Sequence, residues 1–478
     1  MAAALRLRAK GYSVSLMDRC DRLGGRAQVY EVDGFRHDAG PTVITAPFLF
    51  DELFELFGEK FSDYVNLVPM KPWYRFHFED GTNFDYGGTL EETLDEIERI
   101  EPRDRAGYEA LLAHSKRIFD VGFTELSATP FHSFWTMLRQ VPALLRLRNH
   151  ETVWTMVCRH LSSSKLRRAF SIQPLLVGGN PFDTTSIYGL IHFLERAYGV
   201  HFAMGGTGAI TSAFGDLMSR QGIEVRLGIT VESITVKNGA ATGVVLSDGE
   251  EVAADVIVSN ADAAFLYKHM IPRSKQALAT RAKVAAAHYS MGLFVLYFGT
   301  TRMYPEVAHH TIWLGERYEE LINQIFHTRT LAEDFSLYLH RPTATDPSFA
   351  PPGCDSFYVL CPVPNLQADI DWSIEGPRLQ ERIIAALEST ILPGLSSTIT
   401  GVFYKTPEDF KSSYLSVHGA GFSIAPVFRQ SAWFRFHNRA EGIKNLYLVG
   451  AGTHPGAGLP GVICSAKVLD ALIPAVKK

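Results

Sequence analysis

Asp18 closes a short apolar run at 12–17, and LGGRA follows it at 23–27. A carboxylate at the end of a parallel strand is where a dinucleotide-binding βαβ unit holds a ribose hydroxyl. Gly24 and Gly25 let backbone approach an anion with no Cβ between them. Arg26 can present a fixed guanidinium to a pyrophosphate. The plainer alternative is a β-turn with a solvated arginine. A second anion-binding pattern lies at the other end of the chain, GAGTHPGAGLPGV at 450–462, with five glycines and two prolines in thirteen residues. That composition would ruin a core element, so it predicts a shaped loop. It follows the apolar run 446–449 and precedes an expected helix, the setting in which backbone amides and a helix N-terminus bind phosphate. His454 within it is either a proton donor or an anchor for the turn, and the anchor is the simpler role.

Other candidates carry less chemistry. FRHDAGPTVI at 35–44 sets His37 beside Asp38, but neighbours in an extended segment point to opposite faces. Asp38 therefore reads as a structural acid in a turn before Gly40 and Pro41. His309 and His310 need special geometry to share a metal and read as structural or substrate-lining. H-E-x-x-H, G-x-S-x-G and Walker patterns are absent, and no metal site is expected.

The elements that must position these residues fall in three α/β stretches. The first runs to Pro41, with a helix at 1–10 ended by Gly11. The second runs from GGTGAI at 205–210 to VSNAD at 258–262. It contains a helix, strands at 223–227, 230–236 and 241–246, and a strand at 251–258 after an Asp248-Gly249 turn. The third begins at Asn445. Aromatic-rich blocks separate them. The expected architecture is α/β: a Rossmann-like cofactor domain from 1–70, 205–270 and 425–478, with a mixed sheet and helix substrate domain from 71–204 and 271–424. In that second part, 131–148 repeats Phe134, Leu138, Val141 and Leu145 at helical spacing, with Trp135 added, Arg139 and Arg146 off the stripe, and Pro142 predicting a kink. Such a helix is either a membrane-surface anchor or an ordinary amphipathic helix against the core.

Composition narrows the class. A net charge of −5 offers no general attraction to nucleic acid, and five scattered cysteines read as reduced thiols. No signal peptide and no run of about eighteen apolar residues are present, so a cytoplasmic protein without a spanning helix is expected.

Taken together, LMDRCDRLGGRAQVYEVDGFRHDAGPTVIT, LLVGGNPFDTTSIYGLIHFLE, GGTGAI, VSNAD and NLYLVGAGTHPGAGLPGVICSAK resemble the bacterial-type phytoene desaturases of the flavin amine-oxidase-like superfamily. The resemblance runs from the first residue to about Lys467. It implies non-covalent FAD, a peripheral enzyme on the inner membrane, a C40 polyene (phytoene) as substrate, and oxygen or a membrane quinone as electron acceptor. Neurosporene or lycopene is the implied product. By the same resemblance Asp18 holds the adenosine ribose, and Gly24, Gly25 and Arg26 sit by the pyrophosphate and ribityl chain. Thr42 lies near the flavin and Val231 against adenine. Gly452 and Thr453 close on the pyrophosphate, and Gly461 and Val462 approach the isoalloxazine. Arg167, in KLRRAF, matches a substrate-domain arginine and is the weak catalytic candidate. The acid that often precedes it is replaced by serines 162–164.

A cofactor unit of this kind starts about twenty residues before its acid, with a strand and a G-x-G-x-x-G turn. This sequence opens later, so it reads as half of that site, and in-frame codons before Met1 and weak FAD binding without them are expected. The aromatic residues Trp73, Tyr74, Phe294, Tyr297, Phe298, Trp313, Phe357 and Tyr358 are candidates to line a polyene tunnel. Two rivals stay open: another carotenoid-acting flavoenzyme, such as an isomerase or hydroxycarotenoid desaturase, and a flavin-free polyene-binding remnant.

Overall fold

The computed structural model describes residues 1–477. Helix Ala2–Ala9 leads into strand Ser15–Met17, which pairs in parallel with Glu224–Arg226. The expected strand at 251–258 is two strands. Glu251–Ala253 is the antiparallel edge of a three-stranded sheet with Ala240–Leu246 and Val231–Lys237, whereas Ile257–Ser259 runs parallel to Leu446–Leu448. The burial pattern explains the division: Glu251 and Ala253 to Asp255 are exposed, and burial begins at Ile257 beside Leu446. The two chain ends are tied together, with Arg6 Nη1 donating to Asp470 at 2.6 Å and Leu5 packed in one cluster with Ile463 and Cys464.

Asp38 ends the strand Phe35–Asp38 and is fully buried. It does not sit in a turn before Gly40. Its Oδ1 accepts the backbone N–H of Thr207 at 2.9 Å and the Thr207 hydroxyl at 2.8 Å, at the start of helix Gly206–Arg220. A carboxylate there satisfies an orphan amide and complements the helix dipole.

The other half is built on a seven-stranded mixed sheet, in the order Ile399–Lys405, Gly292–Thr300, Asp355–Val363, Leu337–His340, His310–Leu314, Tyr74–Phe78, Asn83–Tyr86. Gly292–Thr300 is buried along its whole length. Pleating divides its side chains. Phe294, Leu296 and Phe298 pack with Trp372 and Leu379 of helix Trp372–Thr390, and Leu293 and Val295 face the opposite way.

Helix Phe134–Arg146 buries only Met137 and continues through Pro142. Phe134, Trp135, Leu138 and Leu145 are exposed, so the apolar stripe faces outward and does not pack on the core. No helix among the described residues is long and apolar enough to cross a membrane, and all five cysteines are free.

Candidate functional site

A cavity of about 1390 Å³ runs between the two halves. That exceeds the roughly 300–1,000 Å³ of a drug-sized site. Asp18, Gly24, Gly25, Arg26, Thr42, Val231, Gly452, Gly461 and Val462 all line it, brought together from three distant parts of the chain. Asp18 follows its strand, and its Oδ1 accepts the Cys20 N–H at 2.9 Å. Gly24 has φ +108°, and a Cβ there would stand 2.9 Å from Thr211 Cγ2. Arg26 donates from Nη2 to the Ser416 hydroxyl and stands 5.1 Å from the Tyr414 ring centroid, while its buried Nε has no partner. Burial lowers the Arg26 pKa, and the nearby Asp262 opposes that shift.

The terminal loop is held by a side chain the sequence did not single out. Arg435 is 1 % exposed. Its Nε donates to the Thr453 carbonyl at 2.9 Å, and its Nη atoms donate to the carbonyls of Ala451, Gln430 and Ile424. The loop passes from strand Leu446–Leu448 to helix Leu459–Lys467, where a Cβ on Gly461 would meet the Gly456 carbonyl oxygen at 2.6 Å. Thr453 lies outside the cavity lining, because its buried hydroxyl donates to the Gly450 carbonyl. His454 anchors the turn: its Nε2 pairs with the Leu126 carbonyl at 2.8 Å, and burial lowers its pKa to about 4.

Arg167 is not in the cavity wall either. Its Nε donates to the Leu161 carbonyl at 2.7 Å, just past helix Val153–His160, which makes it a structural cap. Of the two roles expected for the histidine pair, structural or substrate-lining, the structure shows the structural one. His309 and His310 do not line the cavity; they are buried with His340, with ligating atoms within 4.8 Å of one another. Burial holds all three below the usual histidine range and thus neutral. His310 Nδ1 pairs with the Tyr338 hydroxyl at 2.7 Å, and Tyr338 pairs with the Thr42 hydroxyl at 2.8 Å, which joins this cluster to the cavity wall.

Away from the glycine-rich end the wall is mainly aliphatic, with Leu293, Val295, Ile312, Leu314 and Leu360 among its residues. Of the expected aromatics only Tyr74 and Tyr358 reach it among the described residues. Strand alternation decides this: Phe294, Phe298 and Phe357 are on the sheet face that packs on helix Trp372–Thr390. Met137, Gln140 and Leu144 of helix Phe134–Arg146 border the same cavity.

The sequence profile of the family "Flavin containing amine oxidoreductase" matches residues 1–467. The lycopene-forming phytoene desaturase of Pseudescherichia vulneris is 47 % identical over 474 residues, 99 % of this chain and 96 % of that protein. The neurosporene-forming phytoene desaturase of Rhodobacter capsulatus is 43 % identical over 100 % of this chain and 92 % of that protein. The chain belongs to the flavin-containing amine oxidoreductases. Within them it groups with the bacterial phytoene desaturases. Solved structures share the fold at lower identity. An oxidoreductase from Methanosarcina mazei superposes with a TM-score of 0.66 at 15 % identity, covering 98 % of this chain and 96 % of that one. Wild-type putrescine oxidase bound to putrescine gives 0.58 at 14 % identity, covering 98 % and 94 %.

The flavoenzyme's cofactor is FAD, and its residues fit that group. A Cβ on Gly25 would meet nothing within 4 Å, so its backbone lies open to the cavity, and the unpartnered Nε of Arg26 is a buried donor that an anionic group would satisfy.

Proposed function

We propose that this enzyme desaturates phytoene to more conjugated carotenes, neurosporene or lycopene. The observation that carries the reading is the large, mainly apolar cavity continuous with the glycine-rich cofactor end. It is supported by relatives of 43 to 47 % identity that carry this activity in their names. FAD supplies the hydride acceptor. The chain's own residues bind the polyene and exclude water. Leu293, Val295, Ile312 and Leu314 offer no hydrogen bond, which suits a hydrocarbon and orients it by shape alone.

In this reading Asp18 holds the adenosine ribose and Val231 contacts adenine. Gly24, Gly25, Arg26 and Gly452 surround the pyrophosphate and ribityl chain, while Thr42, Gly461 and Val462 approach the ring. Thr453 helps shape the loop, its carbonyl held by Arg435 and its hydroxyl by the Gly450 carbonyl. The cofactor domain comprises 1–70, 205–270 and 425–478, with the substrate domain between. The enzyme takes its C40 substrate from a lipid surface, the inner membrane, through helix Phe134–Arg146 at the cavity border, and passes electrons to oxygen or a quinone.

The test is chromatography of pigments after incubating FAD-loaded protein with phytoene in phosphatidylcholine vesicles. New carotenes with longer-wavelength absorption are expected. Folded, flavin-bearing protein that leaves phytoene unchanged refutes the reading.

A further inference from the structure

We infer that Glu195 is the catalytic base of the desaturation, an assignment that rests on the function proposed above. Forming a double bond from CH2–CH2 breaks two C–H bonds. One hydrogen leaves with its electron pair for FAD, which is reduced. The pair of the second C–H bond becomes the new π bond, and its proton must be taken by a base. An aliphatic tunnel has few candidates.

Among the described residues, the carboxylates and histidines that line the cavity are Asp18, Glu195, Glu224, Asp255, Asp262 and His454. Asp18, Glu224 and Asp255 lie on or beside the short strands of the cofactor end. Asp262 leaves Oδ2 without a partner, but its Oδ1 accepts the N–H groups of Ala264 and Phe265 as a helix cap and it faces Arg26 at the cofactor end. His454 is a weak base tied to Leu126. Glu195 is the acid set among the aliphatic residues. It shares helix Leu190–Tyr198 with Ile191 and Leu194, which also line the cavity.

Its surroundings are those of a working base. The side chain is 0 % exposed. Oε1 accepts the Tyr74 hydroxyl at 2.9 Å, and Oε2 has no partner. A buried carboxyl oxygen without a partner costs free energy and calls for an explanation. Here one oxygen is held and the other, itself buried, has no partner, in a residue that borders the cavity. The charged and titratable groups around it are Tyr74 and Tyr86 on the adjoining sheet, Tyr108 behind Tyr86, and Arg196 on its own helix. Arg196 does not pair with it: its Nη atoms donate to the Gly88 carbonyl and the Thr93 hydroxyl, and it stacks 4.4 Å from the Trp73 ring centroid. Burial pushes the Glu195 acid up to about 7, while the Tyr74 hydrogen bond, Arg196 and the neighbouring Tyr86 hydroxyl pull it down. A base poised near the working pH is strong enough to take a proton and still ionised in a large fraction of molecules. Its charge also faces the allylic cation that hydride loss leaves on the polyene.

The experiment uses FAD-loaded holoenzyme and phytoene in phosphatidylcholine vesicles. Wild-type kcat should fall as pH drops through about 7, because the carboxylate becomes protonated. Glu195→Gln should retain flavin and thermal stability, lower kcat about 10²- to 10⁴-fold, and lose that acid limb. Tyr74→Phe removes a hydrogen bond to the carboxylate and should move the limb to higher pH. Glu195→Gln with kcat within fivefold of wild type overturns the assignment. So does a limb that Tyr74→Phe leaves in place, and this second result decides the matter if Glu195→Gln does not fold. A wild-type holoenzyme that turns over no carotene refutes the proposed function and this role with it; an active wild type with an unaffected Glu195→Gln refutes this role alone.

Discussion

The membrane role of helix Phe134–Arg146 is open to a direct and quantitative test. Trp135 is 70 % exposed and Leu138 45 % exposed. At about 250 Å² for a tryptophan and about 25 cal/mol per Å², moving the exposed part of Trp135 into lipid stabilises binding by about 4 kcal/mol. Leu138 contributes about 1 kcal/mol on the same scale. Arg139 and Arg146 lie exposed on the same helix and add attraction to anionic headgroups of about 1 kcal/mol each. Replacing Trp135 and Leu138 by Asp removes about 5 kcal/mol, a fall of about 4 × 10³ in partitioning at 1.4 kcal/mol per decade. The assay is sedimentation with anionic vesicles at low and high salt. The double variant should stay in the supernatant. Leu278→Asp, an equally exposed apolar residue on helix Leu278–Ala285, should pellet like wild type. Since neither Trp135 nor Leu138 lines the cavity, flavin content should be unchanged. A double variant that still pellets, with the same salt sensitivity, refutes this anchor.

Arg435→Gln should lower stability by about 3–5 kcal/mol, because it strips donors from buried carbonyls that have no other solvent. Denaturant titration reads the loss, flavin absorbance per mole should fall with it, and a change under 1 kcal/mol would sink the claim that this side chain holds the loop. Buried histidines make a second, pH-dependent prediction. His37, His192 and His454 are held to about 4 by burial, so they stay neutral in the folded protein. The unfolded chain binds protons on these rings near 6.5, so stability drops as pH falls from 6.5 towards 4. Each ring contributes a slope of about 1.4 kcal/mol per pH unit. Melting of His454→Asn should show a shallower acid slope than wild type, and an identical slope contradicts the assignment.

The cofactor end was legible in the sequence because its chemistry is local. An acid after a strand, paired glycines and a glycine-proline loop before a helix each constrain backbone shape within a dozen residues. Nine of the ten residues that the family resemblance assigns to the cofactor line one cavity. The exception, Thr453, shows the limit: spacing places a residue in a loop, but the direction of its hydroxyl depends on the Gly450 carbonyl and the Asn438 amide. Apolar periodicity likewise revealed helix Phe134–Arg146, yet not which way its stripe faced, since a lipid surface and a core ask for the same residues. The aromatic tunnel failed for a related reason. Composition counts aromatic residues, whereas alternation along Gly292–Thr300 sends Phe294 and Phe298 to the far face. Glu195, Arg435 and the cluster of His309, His310 and His340 carry no local signature. Their chemistry arises from desolvation and from partners that chain folding brings together, such as Tyr74 for Glu195 and the Thr453 carbonyl for Arg435. Local pattern thus determined the family and the phosphate-binding backbone; only packing decided which buried polar atoms were left without a partner.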